Sequence, residues 1–375
     1  MNIHIALIIS SLNSGGAERV LSNLANHWAL EGAQVDLITL VDSSVKPFYF
    51  LDEKVKLIQL NQSQYSSSLF LRTRNVLFRV LSLRKLFKFS NPDIMISFVD
   101  VTNLTSLLAS IGLKIPLIVS ERTNPCFHRL PFFYKFLRKF LYPIAFCVVV
   151  QTRSAGNYFK RFNNILTIPN FVIRPKRKKL CFKSVQKLIS VGRLNPFKGL
   201  DTMIHAFFHL SLRYPCLKLV IYGEGPERKN LQKLIDSFGL QKKIFLSGVT
   251  FEIQEILSDS DIFIFPSRYE GFPNALCEAM SVGLPVVASN CSGNVDIVRD
   301  GVDGRLFPVD DVNALIQILE ELIEDEGQRR MLAKNAQSVC DRFSADGIFK
   351  KWDDLIESVL DHKLSFGSHS GGIYT

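Results

Sequence analysis

Short apolar runs alternate along this chain with longer segments in which apolar residues recur every three or four positions. In the first half the runs cover residues 3–10, 35–40, 55–60, 93–98, 116–120 and 146–151. They carry few polar positions, as strands buried on both faces do, so the alternation predicts a doubly wound, largely parallel sheet with helices between its strands. The second half repeats the pattern, with strands predicted near 187–191, 217–222, 244–247, 261–265 and 285–289. The fold class is α/β, with one such domain over residues 1–170 and a second over 185–345.

Residues 171–184 break the alternation. They combine proline with the run Arg174-Pro-Lys-Arg-Lys-Lys179 and have little periodicity, as an interdomain linker does. Residues 346–375 begin with a helical pattern over 349–360 and end in a Gly- and Ser-rich tail after Asp361, expected to be mobile and assigned no role.

The candidate chemistry concentrates between two of the later runs. Residues 261–266 end at a proline, as a buried parallel strand should, and residues 284–289 form the next run. Gly271 and Pro273 exclude a helix from the turn between them, while Asn274 is placed to cap the amphipathic segment 275–282 that stops at Gly283. That helix N-terminus would point at the carboxyl end of the strand, where open α/β sheets take ligands and free N–H groups favour phosphates. Glu270 falls in the turn and Glu278 in the second helical turn, which sets their carboxylates on the order of 10 Å apart. One strand-turn-helix unit does not supply the opposed approach of a glycoside hydrolase pair, so the two read as grips on the ends of one ligand. Taken singly, each is more often a loop carboxylate or part of an exposed helix face, and it is the surrounding context that favours a site.

The segment Glu270-Gly-Phe-Pro-Asn-Ala-Leu-Cys-Glu278, within Pro-Ser-Arg-Tyr-Glu-Gly-Phe-Pro, resembles the Glu-x7-Glu signature of the retaining, family-4 type glycosyltransferases. Three more segments fit that family in the same order: Leu12-Asn-Ser-Gly-Gly-Ala-Glu-Arg19, Val191-Gly-Arg-Leu-Asn-Pro-Phe-Lys-Gly199 and Ile221-Tyr-Gly-Glu-Gly-Pro-Glu227. The resemblance implies a GT-B architecture, two Rossmann-like domains facing each other across a cleft, with residues 346–375 supplying a helix that returns to the first domain. It implies that Glu270 contacts hydroxyls of the donor sugar, Glu278 the nucleotide ribose, and Arg193 with Lys198 the donor diphosphate, so that Glu270, Arg193 and Lys198 are the catalytic set. Gly15, Gly16, Gly271, Phe272, Pro273, Asn274, Ala275 and Leu276 complete the implied donor site. The chemistry agrees, because breaking a sugar–diphosphate bond develops negative charge on the departing phosphate and two fixed cations stabilise it. By themselves Arg193 and Lys198 are equally a solvated basic loop, and Gly15-Gly16 simply a turn.

On the acceptor side this chain departs from the family. Many members carry a Ser-x-His motif after the fifth strand, whereas here Ser120-Glu-Arg-Thr-Asn-Pro125 puts Arg122 at the histidine position, beside Glu121. This form resembles bacterial members that extend lipid-linked or surface oligosaccharides. An arginine there can hold a phosphate, carboxylate or hydroxyl but cannot be a general base, since guanidinium stays protonated.

Two other signals are discounted. Gly223-Glu-Gly-Pro-Glu-Arg228 starts like a dinucleotide fingerprint, but Arg228 replaces the third glycine. Asp259-Ser-Asp261 looks like a metal-binding Asp-x-Asp pair, yet it leads into an apolar strand and reads as the end of a helix. No metal and no cofactor are expected beyond the nucleotide-sugar cosubstrate.

Charge adds a partner. Residues 1–170 hold nineteen Lys and Arg against nine Asp and Glu, while residues 171–375 hold twenty-six of each, so the whole net charge of +10 belongs to the first half. Two stretches without an acidic residue, 69–89 and 127–141, interleave this charge with Leu and Phe. Such helices suit an anionic membrane surface; alternatively their apolar residues build the core while the cations meet water. No nucleic-acid-binding signature accompanies the charge, so nucleic acid is not an expected partner. No apolar run reaches eighteen residues and the N-terminus lacks a signal-peptide pattern. Seven cysteines without a Cys-x2-Cys pair suit a reducing cytosol.

The expectation is a retaining glycosyltransferase, cytoplasmic and peripheral on the inner face of the membrane. It would move a hexose or N-acetylhexosamine from a nucleotide diphosphate sugar, UDP-linked, to a lipid-linked or other membrane-anchored glycan acceptor. The competing readings are a GT-B nucleotide-sugar epimerase or phosphorylase, and a non-catalytic membrane-surface binding protein that keeps the fold.

Overall fold

Among the described residues, thirteen strands form two wholly parallel sheets. The computed structural model describes residues 3–13, 15–40, 46–61, 69–123, 131–162, 164–179, 181–182, 184–250 and 252–368, excepting the side chains of 69–73 and 363–368. Ser14, residues 124–130 of the basic and Ser-Glu-Arg segments, and the tail after 368 therefore lie outside the described residues.

The chain divides into two units, one made of Met1–Asn170 with Asp346–Thr375 and the other of Phe171–Ala345. The first contains β1 (His4–Ile9), β2 (Gln34–Thr39), β3 (Val55–Gln59), β4 (Ile94–Phe98), β5 (Leu117–Ser120), β6 (Cys147–Val150) and β7 (Ile165–Thr167), in the order β3-β2-β1-β4-β5-β6-β7. Its helices are α1 (Gly16–Leu30), α2 (Leu69–Ser90), α3 (Asp100–Ser110), α4 (Phe132–Leu141) and α5 (Arg153–Phe159). Buried Leu83, Phe87, Leu104 and Leu107 from α2 and α3 share one core with Met95, Val119 and Val148 of the sheet.

The second unit repeats this winding with β8 (Lys187–Val191), β9 (Lys218–Tyr222), β10 (Ile244–Gly248), β11 (Ile262–Phe265), β12 (Val286–Ser289) and β13 (Arg305–Phe307), ordered β10-β9-β8-β11-β12-β13. Its helices are α6 (Leu200–Arg213), α7 (Arg228–Ser237), α8 (Ile253–Ser258), α9 (Asn274–Ser281), α10 (Ser292–Val295), α11 (Val312–Glu324), α12 (Glu326–Ala336) and α13 (Val339–Arg342). In both sheets the order reverses beside the first strand, which opens a crevice at the strands' carboxyl ends. The pattern of apolar runs misses β7 and β13. Each is a three-residue edge strand and too short to show a period.

The described residues of the segment 171–184 bond to the second unit. Val172 donates its N–H to Phe343 (2.7 Å) and pairs with Ser344, Arg177 meets Asp259 (2.7 Å), and Lys179 meets Asp261 (3.0 Å).

The last helix, α14 (Ala345–Ser368), belongs to the first unit. Its Trp352, Ile356 and Val359 are buried, and Trp352 packs edge-on to Trp28 of α1 at 6.3 Å and stacks on Phe98 of β4 at 6.1 Å. Asp353 accepts the Trp28 indole N–H at 2.8 Å and lies 3.2 Å from His27, whose ring stacks on Phe349 at 4.4 Å. One helical turn thus joins apolar burial to a satisfied polar contact, which pins its rotation. Replacing Trp352 with Ala should destabilise the first unit by about 3–5 kcal/mol. Urea denaturation followed by circular dichroism would measure this, and a loss below about 1 kcal/mol would show that α14 is not part of that core.

Candidate active site

β8 and β11 pair in parallel with Ile262 opposite Leu188 and Phe263 opposite Ile189, so the loops leaving their carboxyl ends are neighbours. After β8 the chain passes Gly192 and Arg193 and makes one 3-10 turn, Pro196–Lys198. The side-chain oxygen of Asn195 accepts the Phe197 N–H at 3.1 Å and Pro196 occupies the first helical position, both standard ways to start such a turn. Gly199 then takes a left-handed φ of 60°, and a Cβ there would lie 2.1 Å from the Pro266 carbonyl oxygen. The two loops touch because this residue has no side chain.

Lys198 reaches across that seam. Its Nζ lies 2.5 Å from Glu270 Oε1 and 4.9 Å from the centre of the Phe265 ring, and both side chains of the ion pair are largely covered. Glu270 is backed by α10, where a Cβ on Gly293 would come within 2.6 Å of the Glu270 Cβ. Below it Asn294, fully buried, donates to the Ser289 carbonyl at 2.9 Å, and the Ser289 hydroxyl donates to the Ser267 carbonyl. The Phe197 and Tyr269 rings, from the residues before Lys198 and Glu270, pack at 4.7 Å. Burial, then the Glu270 charge, raise the Tyr269 phenol above its ordinary value.

Helix α9 starts at Asn274 and ends at Ser281, followed by Gly283 at φ 76°. Its start differs from the expected one by a residue. Pro273 is the N-cap and no side chain caps the helix, so Asn274 is its first residue and not its cap. Proline has no side-chain acceptor and limits φ at the N-cap, so it sets where the helix begins without capping its first N–H groups. Phe272 and Leu276 are buried in the core behind α9, so only their backbone can face a ligand there; Gly271, Asn274, Ala275 and Glu278 are half-buried.

Arg193 is exposed on the loop that carries Lys198. That loop is braced from the other side by Tyr222-Gly-Glu-Gly225: Gly192 donates to the Tyr222 carbonyl at 2.9 Å and Leu194 to the Glu224 carbonyl at 3.0 Å. A Cβ on Gly223 or Gly225 would meet the Gly192 or Leu194 carbonyl oxygen at 1.9 or 2.2 Å. These glycines serve close backbone approach between two loops.

Asp261 sits at the opposite end of β11, where one oxygen accepts the Gln186 and Lys187 N–H groups, each at 2.9 Å, and the other meets Lys179 at 3.0 Å. Asp259 is the C-cap of α8. The Asp-x-Asp pair is therefore part of the frame and remote in role from the Lys198–Glu270 seam.

The remaining predicted residues lie in the first unit. Gly15 is the N-cap of α1 and Gly16 its first residue, and the Glu18 carboxylate folds back over Gly15, within 2.0 Å of where a Cβ would be. Glu121 and Arg122 follow β5 and both are buried. The Tyr142 hydroxyl donates to Glu121, while Arg122 donates to Asn170 at 2.8 Å and lies 4.0 Å over the Phe98 ring and 5.8 Å from that of Trp352. Burial pushes the Arg122 guanidinium down to about 9, which leaves it charged at neutral pH.

The basic aromatic segment around α4 turns its phenylalanines outward. Phe132, Phe133, Phe136 and Phe140 are exposed, with Lys135 and Lys139 among them, while Arg138 is buried and donates to the Tyr158 hydroxyl at 2.7 Å. Along α2, Leu77, Phe78, Leu81 and Phe89 are exposed together with Arg74, Lys85 and Lys88. α3 touches both helices.

Residues 14–173 match the family model described as Glycosyltransferase Family 4, and residues 173–339 the model described as Glycosyl transferases group 1. The chain is 32% identical over 363 residues to GalNAc-alpha-(1->4)-GalNAc-alpha-(1->3)-diNAcBac-PP-undecaprenol alpha-1,4-N-acetyl-D-galactosaminyltransferase of Campylobacter jejuni, covering 95% of this chain and 98% of that one. A second Campylobacter jejuni relative, N-acetylgalactosamine-N,N'-diacetylbacillosaminyl-diphospho-undecaprenol 4-alpha-N-acetylgalactosaminyltransferase, is 29% identical over 89% of this chain and 94% of its own. Among solved structures, sucrose-phosphate synthase from Thermosynechococcus elongatus superposes with a TM-score of 0.84 at 18% identity, over 96% of this chain and all of the other. HepE of Anabaena, solved with UDP and glucose, gives 0.77 at 19% identity, over 95% and 100% of the two chains. These structures share the GT-B fold of two Rossmann-like units, and the sequence relatives carry the family further: this chain belongs to the family-4 glycosyltransferases.

Proposed function

We propose that the chain transfers a hexose or N-acetylhexosamine, with retention, from a UDP-linked sugar to a membrane-anchored oligosaccharide, as a peripheral protein on the inner face of a bacterial cytoplasmic membrane. The observation that carries the reading is the covered Lys198–Glu270 contact at 2.5 Å beside the N-terminus of α9. A cation, a carboxylate and a helix N-terminus close together in the chain suit a ligand with hydroxyls at one end and a diphosphate at the other.

In this mechanism Lys198 and Arg193 take the diphosphate, Glu270 the sugar hydroxyls and Glu278 the ribose. The bond from the anomeric carbon to the diphosphate oxygen breaks with its electron pair leaving on the nucleoside diphosphate. The acceptor hydroxyl bonds to that carbon on the same face and gives its proton to the departing phosphate, so no protein base is required. No metal is assigned, since the two cations oppose the developing charge. Glu121 and Arg122, being buried, shape the acceptor side from beneath. UDP follows the ligand of HepE, and the lipid-linked acceptor follows the names of the Campylobacter jejuni relatives.

The exposed aromatic faces of α4 and α2 support the membrane part. Among the described residues no helix is long and apolar enough to cross a membrane. Burying one exposed Phe side chain in lipid is worth about 1.5–3 kcal/mol, and each Lys near an anionic surface adds about 1 kcal/mol. Residues 127–130 of this basic stretch lie outside the described ones.

Thermal shift of the purified protein with UDP, GDP, ADP, TDP and CMP should show selective stabilisation by one diphosphate. Lys198→Ala should lose most of that shift and, like Glu270→Ala, lower transfer by roughly 10²–10³-fold while the protein stays folded, its ligand-free melting temperature falling only slightly as the partner charge is left unpaired. Equal loss of melting temperature and activity would sink the site assignment, and no shift from any nucleotide would favour a non-catalytic surface-binding protein. For the membrane, the triple change Phe132→Ser, Phe136→Ser, Phe140→Ser should weaken pelleting with phosphatidylglycerol vesicles at least about tenfold, and wild-type pelleting should fall as salt rises. Unchanged binding by the triple variant would remove α4 from the membrane surface.

A further inference from the structure

Lys198 and Glu270 stand 72 residues apart in sequence, on loops that leave different strands. Their spacing must be held by something other than chain connectivity. We infer that Arg268 is the positioning residue that sets it, an inference resting on the donor-site reading above.

Arg268 lies two residues before Glu270 and grips the turn that carries Lys198. Its backbone N–H donates to the Phe197 carbonyl at 2.7 Å, and its Nη1 donates to the Pro196 carbonyl. These are the two residues before Lys198. The rest of the guanidinium is anchored on both flanks: Nη2 lies 2.7 Å from Asp201 in the first turn of α6, and Nε 2.9 Å from Asp310 in the loop between β13 and α11. Asp310 is itself fixed, accepting the Thr202 hydroxyl at 3.0 Å and adopting a left-handed φ of 62°. The hydrogen bond to Asp201, the largest influence, raises the guanidinium above its ordinary value.

Each of the three guanidinium nitrogens already makes a bond within the protein, which ties Arg268 down between its partners. It acts through Lys198. A rigid fork is required, because the grip spans two carboxylates and a carbonyl, and a single ammonium cannot cover all three at these separations. On the other side of the seam the contact of Gly199 with Pro266 prevents the loops from sliding together. The bare backbone sets the lower limit of approach, and Arg268 supplies the tie.

A double-mutant cycle separates this role from a simple contribution to stability. The readout is affinity for the nucleoside diphosphate that the wild type selects from UDP, GDP, ADP and TDP, measured by calorimetry alongside the ligand-free melting temperature. Arg268→Ala should weaken binding about tenfold although it removes no ligand contact, and Arg268→Ala/Lys198→Ala should bind no worse than Lys198→Ala alone. Arg268→Lys, which keeps the charge and is the safer variant for folding, should stay as weak as Arg268→Ala. Wild-type affinity in either single Arg268 variant, or losses that add in the double variant, would overturn the inference and leave the donor site standing. A wild type that binds none of the four diphosphates would overturn the donor site itself and this inference with it.

Discussion

The parallel pairing of β8 with β11 is the constraint from which the site follows. It brings two loops that are far apart in sequence to the same end of the sheet, and it is pinned at its other end by Asp261, which holds the amides that begin β8. Backbone ladder, carboxylate anchor and glycine contact act on the same two strands. A side chain added at Gly199 would separate the strands' exits, and the Lys198–Glu270 contact would be the first thing lost.

That contact has an electrostatic logic. Removing a cation and a carboxylate from water is unfavourable for each alone and is offset when they pair closely. In the ligand-free chain each satisfies the other, and both side chains are largely covered and held in place. Preorganisation of this kind lets fixed charges act on a developing charge without rearranging at the moment of reaction. Arg193 stays exposed and carries no comparable constraint.

In the first unit the informative feature is an inversion. α4 turns its phenylalanines outward and buries Arg138 against Tyr158 and Phe159, which is the reverse of what a core-building helix does. A buried guanidinium is tolerable there because a hydroxyl and two ring faces surround it. Arg122 repeats the device against Phe98 and Trp352. Both arginines hold elements of the first unit together, and the basic composition of that half is only partly a surface property.

Apolar runs and turn residues were enough to read two doubly wound units, most strand positions and the turn–helix segment around Glu270 and Glu278, because parallel strands buried on both faces leave a continuous signal and glycine and proline punctuate it. The edge strands β7 and β13 stayed invisible, being too short to carry a period. The pattern also put the start of α9 one residue late, since Asn274 looks like a cap and the N-cap is Pro273, which has no side-chain acceptor to signal the role. The direction of the α4 face was open for a different reason: the helix offers Phe on one side and Tyr134, Leu137 and Leu141 on the other, so either side could build the core, and only packing chooses. Arg268 gave no local sign at all, as its carboxylate partners lie 67 and 42 residues away. What the sequence determined by itself is whatever depends on near neighbours, namely elements, turns and the types of residue at the loop ends; which of those residues meet was decided by the tertiary structure, because strand pairing joins positions whose separation along the chain carries no signal.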